Sequence, residues 1–114
     1  MDLVIGALIR NGSSVILTTI PPFSREKAAQ HFAGGYVLYL DEDRRLYNEI
    51  LARLAQKHHA VLNQMDEAYS KYTAGELTLD DGIHLNTLGQ ELLACGVLKA
   101  LAHQLGADDI LRET

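Results

Sequence analysis

The chain has one cysteine, no concentration of positive charge and no long apolar run, and each shortage closes off a class of function. The single Cys95 leaves no internal disulfide and no zinc site built from several thiolates. A lone cysteine within an apolar helical stretch is expected to be a small buried residue. Ten basic residues against fifteen acidic ones give a net charge of −5, and Arg44-Arg45 is the one adjacent basic pair. Nucleic acid is not an expected partner, because binding a phosphate backbone needs clustered positive charge. No apolar run reaches the ~18 residues of a membrane span. The start, Met1-Asp2-Leu3, puts an acid where a signal peptide carries basic residues, and no small-residue cleavage site follows. As written, the chain is expected in the cytoplasm. It contains no internal repeat and no low-complexity segment.

What is present is a globular balance, 47% apolar and 22% charged, which argues against disorder. A length of 114 residues bounds the chain to a single domain. Leu3, Val4, Ala7 and Leu8 share a face at helical spacing and predict a first helix, stopped at Asn11-Gly12. Residues 15–20 are β-branched, uncharged and short, as a strand buried on both faces is, and Pro21-Pro22 ends them. Ser24 can cap a short helix through His31, which Gly34-Gly35 breaks. Tyr36 to Leu40 is either extended or a lead into the next helix.

Residues 41–58 form an amphipathic helix, with Asp41 as its cap and Leu46, Ile50 and Leu54, joined by Tyr47 and Leu51, as its buried stripe. Lys57, His58 and His59 fall at its C-terminal end, where the helix dipole favours a cation. Residues 60–65 read as a second strand, 66–72 as a short helix and 73–76 as a turn. Asn86 caps a last helix over residues 87–104, striped by Leu88, Leu92, Cys95, Leu98 and Leu101 and ended by Gly106. Strands alternating with helices imply an α/β fold, a parallel sheet with flanking helices joined by right-handed crossovers.

The stretch with chemical content is Asp80-Asp81-Gly82-Ile83-His84-Leu85-Asn86-Thr87-Leu88-Gly89. An acid and a histidine lie three apart just before a capped helix, and Gly82 permits a sharp turn between them. A carboxylate brought to Nδ1 fixes the imidazole tautomer and leaves Nε2 as a general base. Two bland alternatives stand beside this one: a surface loop with a capping Asp, and a divalent ion on Asp80, Asp81 and His84. The adjacent pair His58-His59 is a poor chelate, because neighbours on a helix diverge by ~100°. Tyr36 and Tyr39 are expected in packing or at a pocket rim. No cofactor motif is present.

Asp81-Gly82-Ile83-His84-Leu85-Asn86, with Gly89, resembles the last conserved block of the SGNH (GDSL-type) hydrolases, in which an Asp-x-x-His pair precedes the C-terminal helix. Gly12-Ser13-Ser14-Val15-Ile16-Leu17-Thr18-Thr19-Ile20-Pro21-Pro22 is similar to the family's fourth strand, Leu46-Tyr47-Asn48-Glu49-Ile50-Leu51 to the helix after it, and Ala60-Val61-Leu62-Asn63-Gln64-Met65-Asp66 to the fifth strand. The resemblance implies a flavodoxin-like three-layer sandwich and ester hydrolysis by a lipase or acylhydrolase. His84 would be the general base, Asp81 its orienting partner, Asn86 a helix cap and Gly89 a close-packing position.

The chain departs from the family in lacking the Gly-Asp-Ser nucleophile block and the Gly-x-Asn-Asp block of the oxyanion hole. It therefore resembles only the C-terminal half of such an enzyme, and is expected to be inactive alone. Ser13 and Ser14 precede a strand, whereas the chemistry of parallel sheets sits at strand C-terminal ends. Ser24 lies past that end and is the one substitute nucleophile to test; Ser70 is expected on a helix surface. Residues 23–40 would overhang the site and meet a small ester substrate. A half-sheet leaves an apolar strand edge open, so the expected partners are a second copy of the chain or a complementing N-terminal chain. The alternative function is a non-catalytic oligomeric or interaction module.

Overall fold

The computed structural model describes residues 1–32 and 41–106. A first helix, α1 (Asp2–Arg10), ends where Asn11 returns both its N–H and its side-chain amide to the Ala7 carbonyl and Gly12 takes a positive φ of 85°. Two short strands follow in separate parts of the chain, β1 (Ile16–Thr18) and β2 (Val61–Asn63), and they pair in parallel with Leu17 opposite Leu62. Between them lie α2 (Arg25–His31) and α3 (Asp41–His58); after them come α4 (Asp66–Tyr69), α5 (Ala74–Leu77) and α6 (Thr87–Gln104).

Polar side chains set several of these starts. Ser24 caps α2 as expected, its Oγ accepting from the Lys27 N–H, and Asn86 caps α6 by accepting from the Gly89 N–H. Both strands are shorter than residues 15–20 and 60–65, and α4 stops at Tyr69 rather than at residue 72. The stretch expected to turn at residues 73–76 instead opens α5, through a reciprocal capping box between Thr73 and Glu76.

Helices lie on both faces of the two-stranded ladder. Leu17 packs with Ile5 of α1 and Ala55 of α3, and Val15, Leu54 and Leu62 close around them. Successive strand residues face opposite ways, so Asn63 looks to the other side. There Gly96 of α6 sits so close to Asn63 and Met65 that a Cβ would collide with both. A second cluster, Met65, Tyr69 and Leu77 with Leu85, Leu88 and Leu92, joins α4 and α5 to α6.

The expected buried stripes do not all find cover. Leu46, Tyr47 and Ile50 of α3 are 55%, 50% and 40% exposed, and the residues α3 buries are Asn48 and Ala55. On α1 the face carrying Leu3, Val4 and Leu8 is open to solvent; of the α6 stripe, Leu88 and Leu92 pack against the second cluster while Leu98 and Leu101, with Val97 beside them, are exposed. Cys95 is exposed rather than buried. The reason is width. Two strands ~4.8 Å apart make a floor about one helix wide, so the helices on it overhang. Asp41, expected as the cap of α3, is itself helical, and its carboxylate pairs with Arg44 and Arg45 one turn on.

Asn48 is 5% exposed and takes the place of a neighbouring strand at the end of β1. Its Oδ1 accepts from the Ile20 N–H at 2.7 Å and its Nδ2 donates to the Ile20 carbonyl at 3.2 Å. Upstream, the Val15 carbonyl and the Thr19 N–H bond to β2. Peptide groups alternate in direction along a strand, so those of Ile16 and Thr18 point away from β2, to an edge that no other described strand pairs with. Thr19, 1% exposed, ties the two strand ends together by accepting from the Met65 N–H.

Candidate functional site

The loop between α5 and α6 is closed on itself and held from two sides. Thr78 and Leu85 form an antiparallel bridge, the Leu79 N–H reaches the His84 carbonyl at 2.8 Å, and the Asn86 N–H reaches that of Leu77 at 2.8 Å. On one side stands α2: the Ser24 N–H donates to the Gly82 carbonyl at 2.8 Å, and Lys27 Nζ donates to the carbonyls of Gly75 and Thr78. Gly82 has φ +73°, and a Cβ there would strike the Ser24 carbonyl and the Ala28 N–H. On the other side stands α6, where a Cβ on Gly89 would come within 2.6 Å of the Leu77 carbonyl. Gly89 is thus a close-packing position, as the resemblance implied.

Within this frame Asp81 organises the histidine. Its Oδ1 accepts from the N–H groups of Ile83 and His84 at 2.8 and 3.0 Å, and its Oδ2 meets Nδ1 of His84 at 2.5 Å. The His84 hydrogen bond, and after it the two backbone donors, hold the Asp81 carboxyl well below the usual carboxylate range. An ionised carboxylate only accepts, so the proton of a neutral imidazole resides on Nδ1 and the lone pair is left on Nε2. The Asp81 side chain is 18% exposed and that of His84 is 76% exposed, so the acid is sheltered and the ring presented. Such an arrangement can take a proton from a hydroxyl and return it to a leaving group.

Ile83, the residue before His84, joins Ile20, Pro21, Phe23, Arg44 and Tyr47 in lining a mostly apolar hollow of about 400 Å³. A larger one, about 660 Å³, runs between β2, α4 and α6 with Cys95 on its wall, and shares no residue with the Asp81–His84 loop.

The substitute nucleophiles do not meet the base. Ser24 lies on the correct side but is 8% exposed, with its Oγ engaged at the start of α2. Ser13 and Ser14 are exposed ahead of β1, at the opposite end of the strand. Ser70 is an exposed residue whose hydroxyl donates to the Glu67 carbonyl. Among the described residues no group of three His, Cys, Asp or Glu side chains is placed to hold a metal. Tyr36 and Tyr39, and residues 33–40 of the segment expected to overhang the site, lie outside the described residues.

A second Asp–His pair escaped the sequence. His58 Nε2 meets Asp2 Oδ1 at 2.5 Å while Lys57 Nζ meets Oδ2 at 2.8 Å, fastening α1 to the end of α3. The Lys57 and His58 hydrogen bonds lower the Asp2 carboxyl. The His58 side chain is 16% exposed, so this pair is a staple rather than a presented base. Its partners are 56 positions apart, and no local pattern announces them. Asn48 and Lys27 were likewise missed, since both act on distant backbone.

No helix among the described residues is long and apolar enough to cross a membrane. No protein-family model matches the chain, and no curated protein matches it.

Proposed function

We propose that this chain carries the acid–base half of a Ser-His-Asp ester-hydrolysing site of the SGNH type, with His84 as general base and Asp81 as the carboxylate that orients it. The observation that supports it is the divided use of Asp81: one oxygen holds the loop's own N–H groups, the other holds Nδ1, and the His84 side chain is left mostly exposed. In the proposed reaction His84 takes the proton of a serine hydroxyl as that oxygen attacks the carbonyl of a small ester. Asp81 steadies the imidazolium, and the proton then passes to the departing alkoxide.

The serine and the oxyanion donors come from outside these 114 residues, since the chain has neither block that would supply them. A base and an acid without them supply little catalysis. A complementing chain would add strands at the open edge of β1 and complete a three-layer sandwich. The test is p-nitrophenyl acetate hydrolysis by the chain alone and with a chain bearing a Gly-Asp-Ser block. Turnover is expected only in the mixture and is expected to vanish with His84→Ala; turnover indifferent to that change removes His84 as the base.

One observation favours a second reading, a non-catalytic interaction module. Leu3 and Val4 of α1 and Leu98 of α6 are 85%, 58% and 61% exposed, forming faces suited to a partner whether or not chemistry follows.

A further inference from the structure

We propose that the hollow beside His84 is a binding site for the uncharged, apolar limb of a small molecule, an aryl ring or a short acyl chain. Its walls come from separate parts of the chain: Ile20 and Phe23 after β1, Arg44 and Tyr47 on α3, and Ile83 in the Asp81–His84 loop. Ile20, Tyr47 and Ile83 are 41%, 50% and 40% exposed, so large apolar side chains are left in water around one depression. Its volume of about 400 Å³ falls within the range of small-molecule pockets. A cavity of about 150 Å³ already admits benzene, so a ring with a few methylenes fits.

Two of these walls are pinned. The Ile83 N–H is held by Asp81 Oδ1 at 2.8 Å and the Ile20 N–H by Asn48 Oδ1 at 2.7 Å. A preformed wall lowers the ordering cost of binding.

Charge decides the class of ligand. Among the described residues the cation at the hollow is Arg44, whose side chain is 12% exposed. Its Nε is taken by Asp41, and its Nη1 by Asp66 and by the Ile20 carbonyl. Its charge is matched by two carboxylates, and a net charge of −5 over the chain disfavours anions further. A carboxylate or phosphate limb gains nothing here. An apolar limb does, and because Ile83 immediately precedes His84 it would bring an attached ester to the imidazole. This last point alone rests on the hydrolase reading.

The experiment is a methyl and imidazole NMR titration of the chain with benzyl alcohol and with benzoate. Benzyl alcohol is expected to give saturable shifts at Ile20, Ile83 and the His84 ring, with benzoate about tenfold weaker because its charge would be desolvated without a partner. Ile83→Asp is expected to weaken benzyl alcohol about tenfold; Tyr47→Asp, on a wall residue that is half exposed and belongs to another element, is expected to do the same and guards against a folding artefact. His84→Gln is expected to bind within about twofold of the parent, because no apolar wall is removed. No saturation at millimolar ligand, equal binding of benzoate, or shifts at Met65 and Leu92 beneath α6 instead, would each overturn the proposal. Shifts that persist while ester turnover proves indifferent to His84 sink only the hydrolase reading; His84-dependent turnover without the shifts sinks only this one.

Discussion

At the scale of single residues, the site works through a carboxylate doing two jobs. Asp81→Ala should release the His84 ring from its tautomer. In ¹⁵N spectra the neutral imidazole is expected to move from Nδ1–H towards the Nε2–H form; an unchanged spectrum would mean that Asp81 does not orient the ring. The pH dependence has a definite sign. The folded Asp81 carboxyl lies below its unfolded value of about 3.9, so its stabilisation is complete above that pH and is lost as pH falls through the folded value. Asp81→Ala should therefore flatten the acid limb of the stability curve and lower its neutral plateau without changing the slope there. Gly82→Ala is argued from space and φ together. A Cβ at +73° against the Ser24 carbonyl is expected to cost about 1–3 kcal/mol in denaturant unfolding. Asp81, Gly82, His84, Asn86 and Gly89 were all visible in the sequence, because each interaction that defines the loop's turn and cap spans only a few residues. Lys27 was not, since the carbonyls it holds at Gly75 and Thr78 are 48 and 51 positions away and any cation could have held them.

At the scale of elements, caps were legible and cover was not. Ser24 and Asn86 announced α2 and α6 because a cap is a local hydrogen bond. The stripe of Leu46, Tyr47 and Ile50 announced a helix correctly and its burial wrongly, because periodicity shows which face is apolar and not whether anything lies against it. Of the two side chains that α3 does bury, Ala55 and Asn48, the second is polar, and its work is to satisfy the Ile20 peptide group at the end of β1. Asn48→Leu should leave that N–H and carbonyl without their partner. The expected loss is about 1–3 kcal/mol in thermal or denaturant unfolding, accompanied by faster amide exchange at Ile20. An Ile20 amide that exchanges as slowly as before would show that the side-chain amide is not what protects it. The same change loosens one wall of the hollow, so benzyl alcohol binding should weaken with it.

At the scale of the whole molecule, what stands out is apolar surface without cover. Among the described residues the ladder has two strands, and sheets that small are marginal in water. Among those residues no strand pairs with the Ile16 and Thr18 side of β1, and Leu3, Val4 and Leu8 on α1 with Val97, Leu98 and Leu101 on α6 remain in solvent. An edge of this kind, uncharged and lacking proline, pairs readily, and each leucine withdrawn from water contributes about 2 kcal/mol. The chain by itself should therefore associate, most simply as a twofold dimer, and size-exclusion chromatography with light scattering at micromolar concentration should show a mass above that of one chain. Leu3→Glu with Leu8→Glu, or Leu98→Glu with Leu101→Glu, alters side chains that are already exposed. If those faces form the contact, one of these double variants should give a monomer whose unfolding no longer depends on protein concentration. The choice between the two readings of function then follows from competition. If the surface exists to receive a chain bearing the nucleophile, that chain should displace the self-association mole for mole, and His84-dependent ester turnover should appear as it does so. A self-association that the complementing chain leaves intact would instead assign these faces to an interaction module, with Asp81 and His84 as no more than a well-ordered loop.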